Sequence, residues 1–446
     1  MRRHLSEKLL AWKDSPFRKP LILKGIRQVG KTWLLKDFGR QHFAQTAYVN
    51  FEENPTWKEF FTGSYDVKRI LSHLSIATET AIEPGKTLVI LDEIQECPQA
   101  LTALKYFCED APDVHVACAG SLLGVALAKP SSFPVGKVVF LQLEPMSFAE
   151  FLEADDNGTL AAFLESLSEL APIPAAFQNR FEDKLKSYFV TGGMPEVISR
   201  WVQTHDLDQV QGVLASLLNA FERDFSRHPD KKDFPKVSLI WHSVPSQLAR
   251  KNKKFLYQTV KEGARAREYE TALQWLTDAQ LVRKVFRTKA PGLPLSAYDD
   301  LSAFKLFLAD GGLLRRLSNL LPTAILEGDR LFSEFKGALT ENYVLQALTP
   351  QLDAAPRYWS QSNPPYEVDF VIDIDNILVP VEIKADKNVK ARSLRKYQEK
   401  FAEQTPLGVR FSLDNLHLDG DVLNIPLYMA DQAVRLIHLA LQAKRS

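Results

Sequence analysis

Apolar and polar positions along the chain change period several times. Leu21–Leu23 is a short apolar run, followed by a glycine-bearing loop and then by Trp33, Leu34, Leu35 and Phe38 at helical spacing; this predicts strand, loop, helix. "TLVILDEIQ" (87–95) opens with a short apolar run that ends in Asp92 and Glu93, and "VHVACAG" (114–120) is a third apolar strand, both of the kind buried on both faces of a parallel sheet. From Phe148 to Val285 the spacing becomes three and four, so "FLESLSEL", "VLASLLNAF" and "YETALQWLTDAQLV" predict helices, interrupted at Pro235, Pro245 and "KAPGLP" (289–294). Residues 296–330 keep apolar periodicity and predict a helical connector with an abrupt bend at Gly311 and Gly312. The last stretch opens with a helix, "EFKGALTENYVLQALT". Its period then falls to two in "YEVDFVIDIDNILVPVEIKAD" (366–386), which predicts a hairpin with Asp373 and Asp375 as polar turn residues. "RYWSQ" before it reads as a strand and "ARSLRKYQEKF" after it as a basic helix.

Composition narrows the class. At 446 residues the chain exceeds one ordinary core, and 45% hydrophobic with 25% charged residues describes a folded globular protein. No apolar run approaches a membrane span, and the amino-terminal stretch lacks the apolar core of a secretory signal, so a cytoplasmic location without membrane partners is expected. Cys97, Cys108 and Cys118 have neither disulfide-framework nor metal spacing and read as reduced thiols. The nine histidines show no metal spacing. Net charge is zero, which excludes a chain that coats nucleic acid by bulk charge. Two basic stretches remain: 245–267 holds seven Lys or Arg against Glu262, and 384–400 holds seven against Asp386 and Glu399. Either suits a phosphate backbone or, more blandly, a solvated face.

The first chemistry lies in Gly25-x-x-x-x-Gly30-Lys31-Thr32. Gly25, Arg27, Gln28, Val29, Gly30, Lys31, Thr32 and Trp33 form a loop and helix start whose N–H groups would face phosphates, with Lys31 on the β and γ oxygens and Thr32 on Mg²⁺. Asp92 and Glu93 end an apolar strand where parallel sheets bind ligands; Asp92 would hold the Mg²⁺ shell and Glu93 would activate water. As a pair alone they would equally suit a helix start. Ser121, directly after the third strand, is placed to sense the γ-phosphate, although a serine after glycine is also ordinary turn chemistry.

The pieces "GIRQVGKTWLLKDFG", "YVNFEENP", "LDEIQECPQALTALKYFCED", "AGSLLGVAL", "SFPVGKV", "LEPMSFAEFL" and "TGGMPEV" resemble, in order, bacterial and archaeal AAA-type ATPases whose P-loop module is joined to a carboxyl-terminal domain of unknown function. The resemblance continues through "WHSVPSQLARKNKKF" and "FKGALTENYVLQAL" to "EVDFVI" and "VEIKA". It implies ATP and Mg²⁺ as cofactors and an α/β architecture: an αβα P-loop core over 1–145 with Walker A and Walker B motifs, a helical lid over 146–205, and a winged-helix region over 206–295. A helical connector over 296–331 and a last domain over 332–446 follow. Where many relatives carry an arginine ahead of the lid this chain has Lys137, so no arginine finger is assigned.

In the last domain a helix with Glu341, a strand with Asp369 and a strand with Glu382-x-Lys384 follow the order of the restriction-endonuclease-like PD-(D/E)xK class. Residues two apart share a strand face, so Glu382 and Lys384 point together. Asp369 and Glu382 would hold Mg²⁺, Glu341 would support the metal, and Lys384 would position the attacking water. The plain alternative is a salt-bridged hairpin. The sequence therefore predicts an ATPase that binds DNA, branched or broken strands included, and cleaves it with Mg²⁺, with self-association as a further partnership. The alternative is a nucleotide-regulated switch whose last domain docks DNA or protein without chemistry.

Overall fold

The computed structural model describes residues 1–120, 134–227, 233–250, 253–327, 333–385 and 392–445. They divide into two compact units: Met1–Glu144 with Asp278–Leu281, and Pro145–Thr277 with Val282–Ser446.

The first unit is built on five parallel strands, β1 (Leu21–Lys24), β2 (Gln45–Asn50), β3 (Thr87–Asp92), β4 (His115–Ala119) and β5 (Val139–Gln142), in the order β2-β3-β4-β1-β5. β3 and β4 are buried at every position, because helices cover both faces of a parallel sheet. Helices Lys31–His42, Val67–Ala77 and Pro98–Asp110 supply that cover, and Asp66 starts the second by accepting from the Lys68 amide at 3.0 Å. Leu34, Leu35 and Phe38, then Ile70 and Leu74, then Leu101 and Leu104 turn inward at three- and four-residue spacing. In this order β1 lies between β4 and β5, so the loop after it opens at the strand ends where the sheet reverses its sequence order.

The second unit begins with helices Phe148–Ala154, Gly158–Ser166, Ala175–Thr191, Pro195–Thr204 and Leu207–Asp224; Ser147 and Glu150 close a capping box on the first. Helices Phe234–Leu248, Tyr257–Val260 and Ala266–Asp278 follow. Pro235 sits at a helix start, where its missing N–H costs nothing. Pro245, expected to break the pattern, lies inside the last turn of its helix, which runs only three residues beyond it.

An eight-stranded mixed sheet completes the unit: β6 (Val282–Thr288), β7 (Asp299–Leu308), β8 (Arg357–Ser362), β9 (Pro365–Ile374), β10 (Ile377–Ile383), β11 (Gly408–Ser412), β12 (His417–Asp419) and β13 (Val422–Pro426). Their order is β12-β13-β11-β10-β9-β8-β6-β7. The antiparallel β8-β9-β10 meander is preceded by helix Ser333–Leu348, and helix Arg392–Lys400 leads from β10 to the parallel strand β11. β9 and β10 turn through Asp375 and Asn376, both at positive φ as a two-residue hairpin of this kind demands, and Asp373 accepts from the Asn376 amide at 3.0 Å.

One expectation is corrected. Asp299–Leu308 is a strand, antiparallel to β6, and not part of a helical connector. Ala303–Leu308 is buried throughout, and a short run buried on both faces has no period that separates strand from helix. After it, "TGG" (191–193) and "DGG" (310–312) interlock. Asp310, fully buried, accepts from the amides of Gly193 at 2.6 Å and Leu313 at 2.9 Å, and its pKa is raised by burial.

Candidate functional site

The loop after β1 is shaped by backbone conformations that few side chains tolerate. A Cβ at Gly25 would sit 2.5 Å from the Leu143 carbonyl oxygen, and Gly30 starts helix Lys31–His42 at φ 94°. Gln28, also at positive φ, is exposed, Val29 is buried, Arg27 is half-buried, and Trp33 is 47% exposed. Lys31 is 6% exposed, and its Nζ donates to the carbonyls of Gly25 (2.8 Å) and Ile26 (2.9 Å). Burial pushes its pKa down to about 8 against the pull of Glu93 and Asp92. Strand and loop thus hold a costly ammonium at a helix start, a site prepared for an anion.

Asp92 ends β3. Its Oδ2 accepts from Thr32 Oγ1 at 2.8 Å and from the Tyr48 hydroxyl at 2.9 Å, and its Oδ1 from the Glu93 amide at 3.0 Å. Burial raises the Asp92 pKa, and the Thr32 and Tyr48 hydrogen bonds oppose that rise. A hydroxyl against a carboxylate, both hard oxygen donors, fits Mg²⁺, which Thr32 and Asp92 would hold. Glu93 takes a left-handed backbone (φ 48°) and accepts from Gln95 Nε2 at 2.5 Å. Gly120, at the end of β4, lies against the Gln95 side chain. Ser121 lies outside the described residues.

Three contributors were not singled out in the sequence. Tyr48 and Asn50 share one face of β2, Asn50 stands in register with Asp92, and Asn50 Nδ2 donates to the Tyr48 hydroxyl at 3.2 Å. Arg3, 5% exposed, donates to the carbonyls of Val29 (3.0 Å) and Glu144 (2.5 Å), tying the phosphate loop to the end of β5. Hydrogen bonds from a buried guanidinium are worth roughly 1.5–3 kcal/mol. Arg3→Gln is expected to raise the KM for ATP about tenfold while kcat holds. Steady-state ATPase kinetics check this, and an unchanged KM would remove Arg3 from the site.

In the second unit, Glu341, Asp369, Glu382 and Lys384 are gathered with three further charged groups, Lys253, Lys305 and Glu367. Lys253 pairs with Glu341 Oε1. Lys305, fully buried on β7, stands 2.5 Å from Glu367 Oε1, 3.8 Å from Glu341 Oε2 and 4.9 Å from the centre of the Tyr358 ring. Lys384 Nζ lies 2.8 Å from Glu382 Oε1, and Asp369 Oδ2 accepts from the Ile383 amide at 2.8 Å.

Burial, and then the nearby Glu341 charge, push the Asp369 pKa up to about 7. For Glu341 burial acts upward, but Lys253 and Lys305 together outweigh it and leave its pKa lowered. Burial likewise opposes the charge on Lys305, yet Glu367, Glu341 and Asp369 hold it above the ordinary lysine range.

Glu341 Oε2 and Glu382 Oε2 are buried without a hydrogen-bond partner, and oxygen donors of this kind fit a hard divalent cation. The donors of Glu341, Asp369 and Glu382 do not form a triad all within 4.8 Å of one another among the described residues. Lys253 and Lys305 face Glu341, and Lys384 pairs with Glu382.

Residues 17–152 match the family described as AAA domain, while 182–324 and 336–428 each match a family described only as a domain of unknown function. No curated protein matches the chain. Among solved structures it is similar to the Walker-type ATPase PABY2304 of Pyrococcus abyssi, at 14% identity over 71% of this chain and 95% of that one, with a TM-score of 0.47. It is also similar to the Aeropyrum pernix ORC1 protein solved in complex with DNA (14%, 76% and 91%, 0.27). A third is the Thermotoga maritima RuvB Holliday junction branch migration motor (15%, 64% and 90%, 0.29). No described helix is long and apolar enough to cross a membrane. The match over 17–152 to the AAA-domain family falls on the parallel sheet, the glycine-bounded loop and the Thr32–Asp92 pair, the parts of a P-loop nucleotide site.

Proposed function

We propose that this protein couples ATP binding and hydrolysis to DNA, and that its C-terminal site cleaves phosphodiesters with Mg²⁺. The observation that carries the second half is the group of half-buried Asp369 and Lys384 around buried Glu382, with one Glu382 oxygen left without a hydrogen bond. A helix, a three-stranded meander, a crossover helix and a parallel strand surround it, in the element order of restriction-endonuclease-like domains. Asp369 and Glu382 would hold the ion, which supplies Lewis acidity at the phosphate when bound. Lys384, held by Glu382, would orient a water toward the phosphorus.

Helices Phe234–Leu248, Tyr257–Val260 and Ala266–Asp278, followed by the β6–β7 hairpin, support a winged-helix reading. Lys261, Arg265, Arg267, Arg392, Arg395, Lys396 and Lys400 are exposed there and on the basic helix, available to a phosphate backbone.

ATPase and nuclease assays over linear, single-stranded and branched DNA with Mg²⁺ test the reading. DNA should stimulate ATP turnover, Lys31→Ala should abolish turnover, and Asp369→Ala should reduce cleavage at least a hundredfold while leaving DNA binding. Absence of DNA binding on every substrate would sink it. The lysines beside Glu341 and Glu367 favour one rival, a nucleotide-regulated docking module whose acidic cluster is satisfied by ion pairs. Full biological activity of Asp369→Ala would select that rival.

A further inference from the structure

We propose that Lys305 permanently holds the place of a second divalent ion in the C-terminal acidic cluster, so that this site works with one Mg²⁺, bound at its Asp369–Glu382 end. The inference rests on reading the cluster as a metal centre, and it concerns three side chains outside the Glu341, Asp369, Glu382 and Lys384 quartet.

The cluster has two ends. At one, both oxygens of Glu341 are faced by ammonium groups, Oε1 by Lys253 and Oε2 by Lys305, and Glu367 closes on Lys305 from the same strand face as Asp369. At the other, Glu382 shares one oxygen with Lys384 and keeps Oε2 buried with no hydrogen-bond donor. Glu341 Oε2 and Glu382 Oε2 both lack a hydrogen bond, but Glu341 Oε2 faces the buried Lys305 ammonium at 3.8 Å, which leaves Glu382 Oε2 the better approach for a cation among the described residues.

Lys305 cannot step aside as a surface lysine would. Its side chain is fully buried on β7, packed over the Tyr358 ring, and its departure would leave Glu367 without its countercharge and Glu341 with Lys253 alone. Lys253 differs, being 17% exposed at its side chain and carried on the segment between helices Phe234–Leu248 and Tyr257–Val260.

Charge gives the same answer. Lys253, Lys305 and Lys384 stand against Glu341, Glu367, Asp369 and Glu382, an excess of one negative charge when all are ionised. One Mg²⁺ reverses it to a single positive charge, which suits a phosphodiester monoanion. Two would leave three positive charges around the buried Lys305, Glu341 and Glu382 side chains, at a high desolvation cost. Two-metal nuclease sites place their ions about 4 Å apart. Here an ammonium neutralises the carboxylates that a second ion would need.

Mn²⁺ binding counts the ions directly. The chain carrying Asp92→Asn, free of nucleotide so that the P-loop does not contribute, is titrated with Mn²⁺ while free Mn²⁺ is followed by electron paramagnetic resonance. One Mn²⁺ per chain is expected, lost in Glu382→Gln. Two ions sensitive to Glu382→Gln would overturn the role of Lys305 and leave the metal reading standing. No Mn²⁺ would overturn the metal reading and this inference with it. Lys305→Met should take up a second Mn²⁺ and regain melting temperature as Mn²⁺ is added. A folded Lys305→Met that still binds one ion would overturn the proposal, and should it fail to fold, the count on the parent chain decides alone.

Discussion

Lys31→Met is expected to raise the melting temperature of the nucleotide-free protein while abolishing ATP binding and turnover. The Lys31 ammonium is almost completely removed from water, and its pKa falls from 10.5 to about 8, with burial the first cause. At about 1.4 kcal/mol per unit, keeping it charged costs the empty protein on the order of 3 kcal/mol. Methionine of similar length removes that cost but forfeits the bonds to the Gly25 and Ile26 carbonyls, roughly 1–2 kcal/mol. A net gain of about 1–2 kcal/mol remains. With ATP the order reverses, because only the lysine meets the phosphates. Thermal melts with and without ATP check both signs, and a variant less stable than its parent without ATP would refute the account.

The same shift fixes a pH dependence. Below pH 8 Lys31 is charged in the folded and unfolded chains alike, and its penalty is full. Between about 8 and 10.5 the unfolded chain keeps a proton that the folded one has released, so the Lys31 contribution to stability rises with pH through that window. ATP affinity moves the other way: phosphates restore the charge, so binding above pH 8 requires proton uptake and weakens by up to about tenfold per unit.

Gly312→Ala is expected to lower the stability of the second unit by about 3 kcal/mol. An added methyl would lie 2.7 Å from the Gly192 amide nitrogen and from the Thr191 carbonyl carbon, and it would press on the Thr191 oxygen. These are backbone atoms of another segment, itself pinned by the Gly193 amide on Asp310, so no side-chain rotation relieves the overlap. At about 2–4 °C per kcal/mol for a large domain, the melting temperature should fall by roughly 6–12 °C. Gly337→Ala is the control. A methyl there meets nothing, and helix Ser333–Leu348 should tolerate or prefer it by about 0.5–1 kcal/mol. Equal melting of the two variants would contradict the interlock.

The phosphate loop was legible because its chemistry is local: one strand, one loop and one helix start carry Gly25 to Thr32, and Asp92 follows on an unmistakable buried strand. Tyr48 and Asn50 were legible in principle, being polar at alternate positions of β2, but what they touch depends on strand order. The C-terminal quartet could be named from type and order. Its lysines could not, since Lys253 reaches Glu341 across 88 positions and Lys305 sits in "AFKLFLAD", where a lysine amid apolar residues reads as one that reaches for solvent. The misreading of β7 as helix hid Lys305 further. Once Asp299–Leu308 is a strand, alternation places Lys305 on the face opposite Phe304 and Leu306.

The short segment Asp278–Leu281 belongs with the nucleotide-binding unit although it is distant from it in sequence. Gln280 exchanges two hydrogen bonds of 2.9 Å with Gln142 on the edge strand β5. The chain therefore passes between the units three times, after residues 144, 277 and 281. An expression fragment ending at residue 144 would strip that edge of its amide partner. Isolating the ATPase part with that edge complete calls for a circular permutation or a grafted copy of residues 278–281.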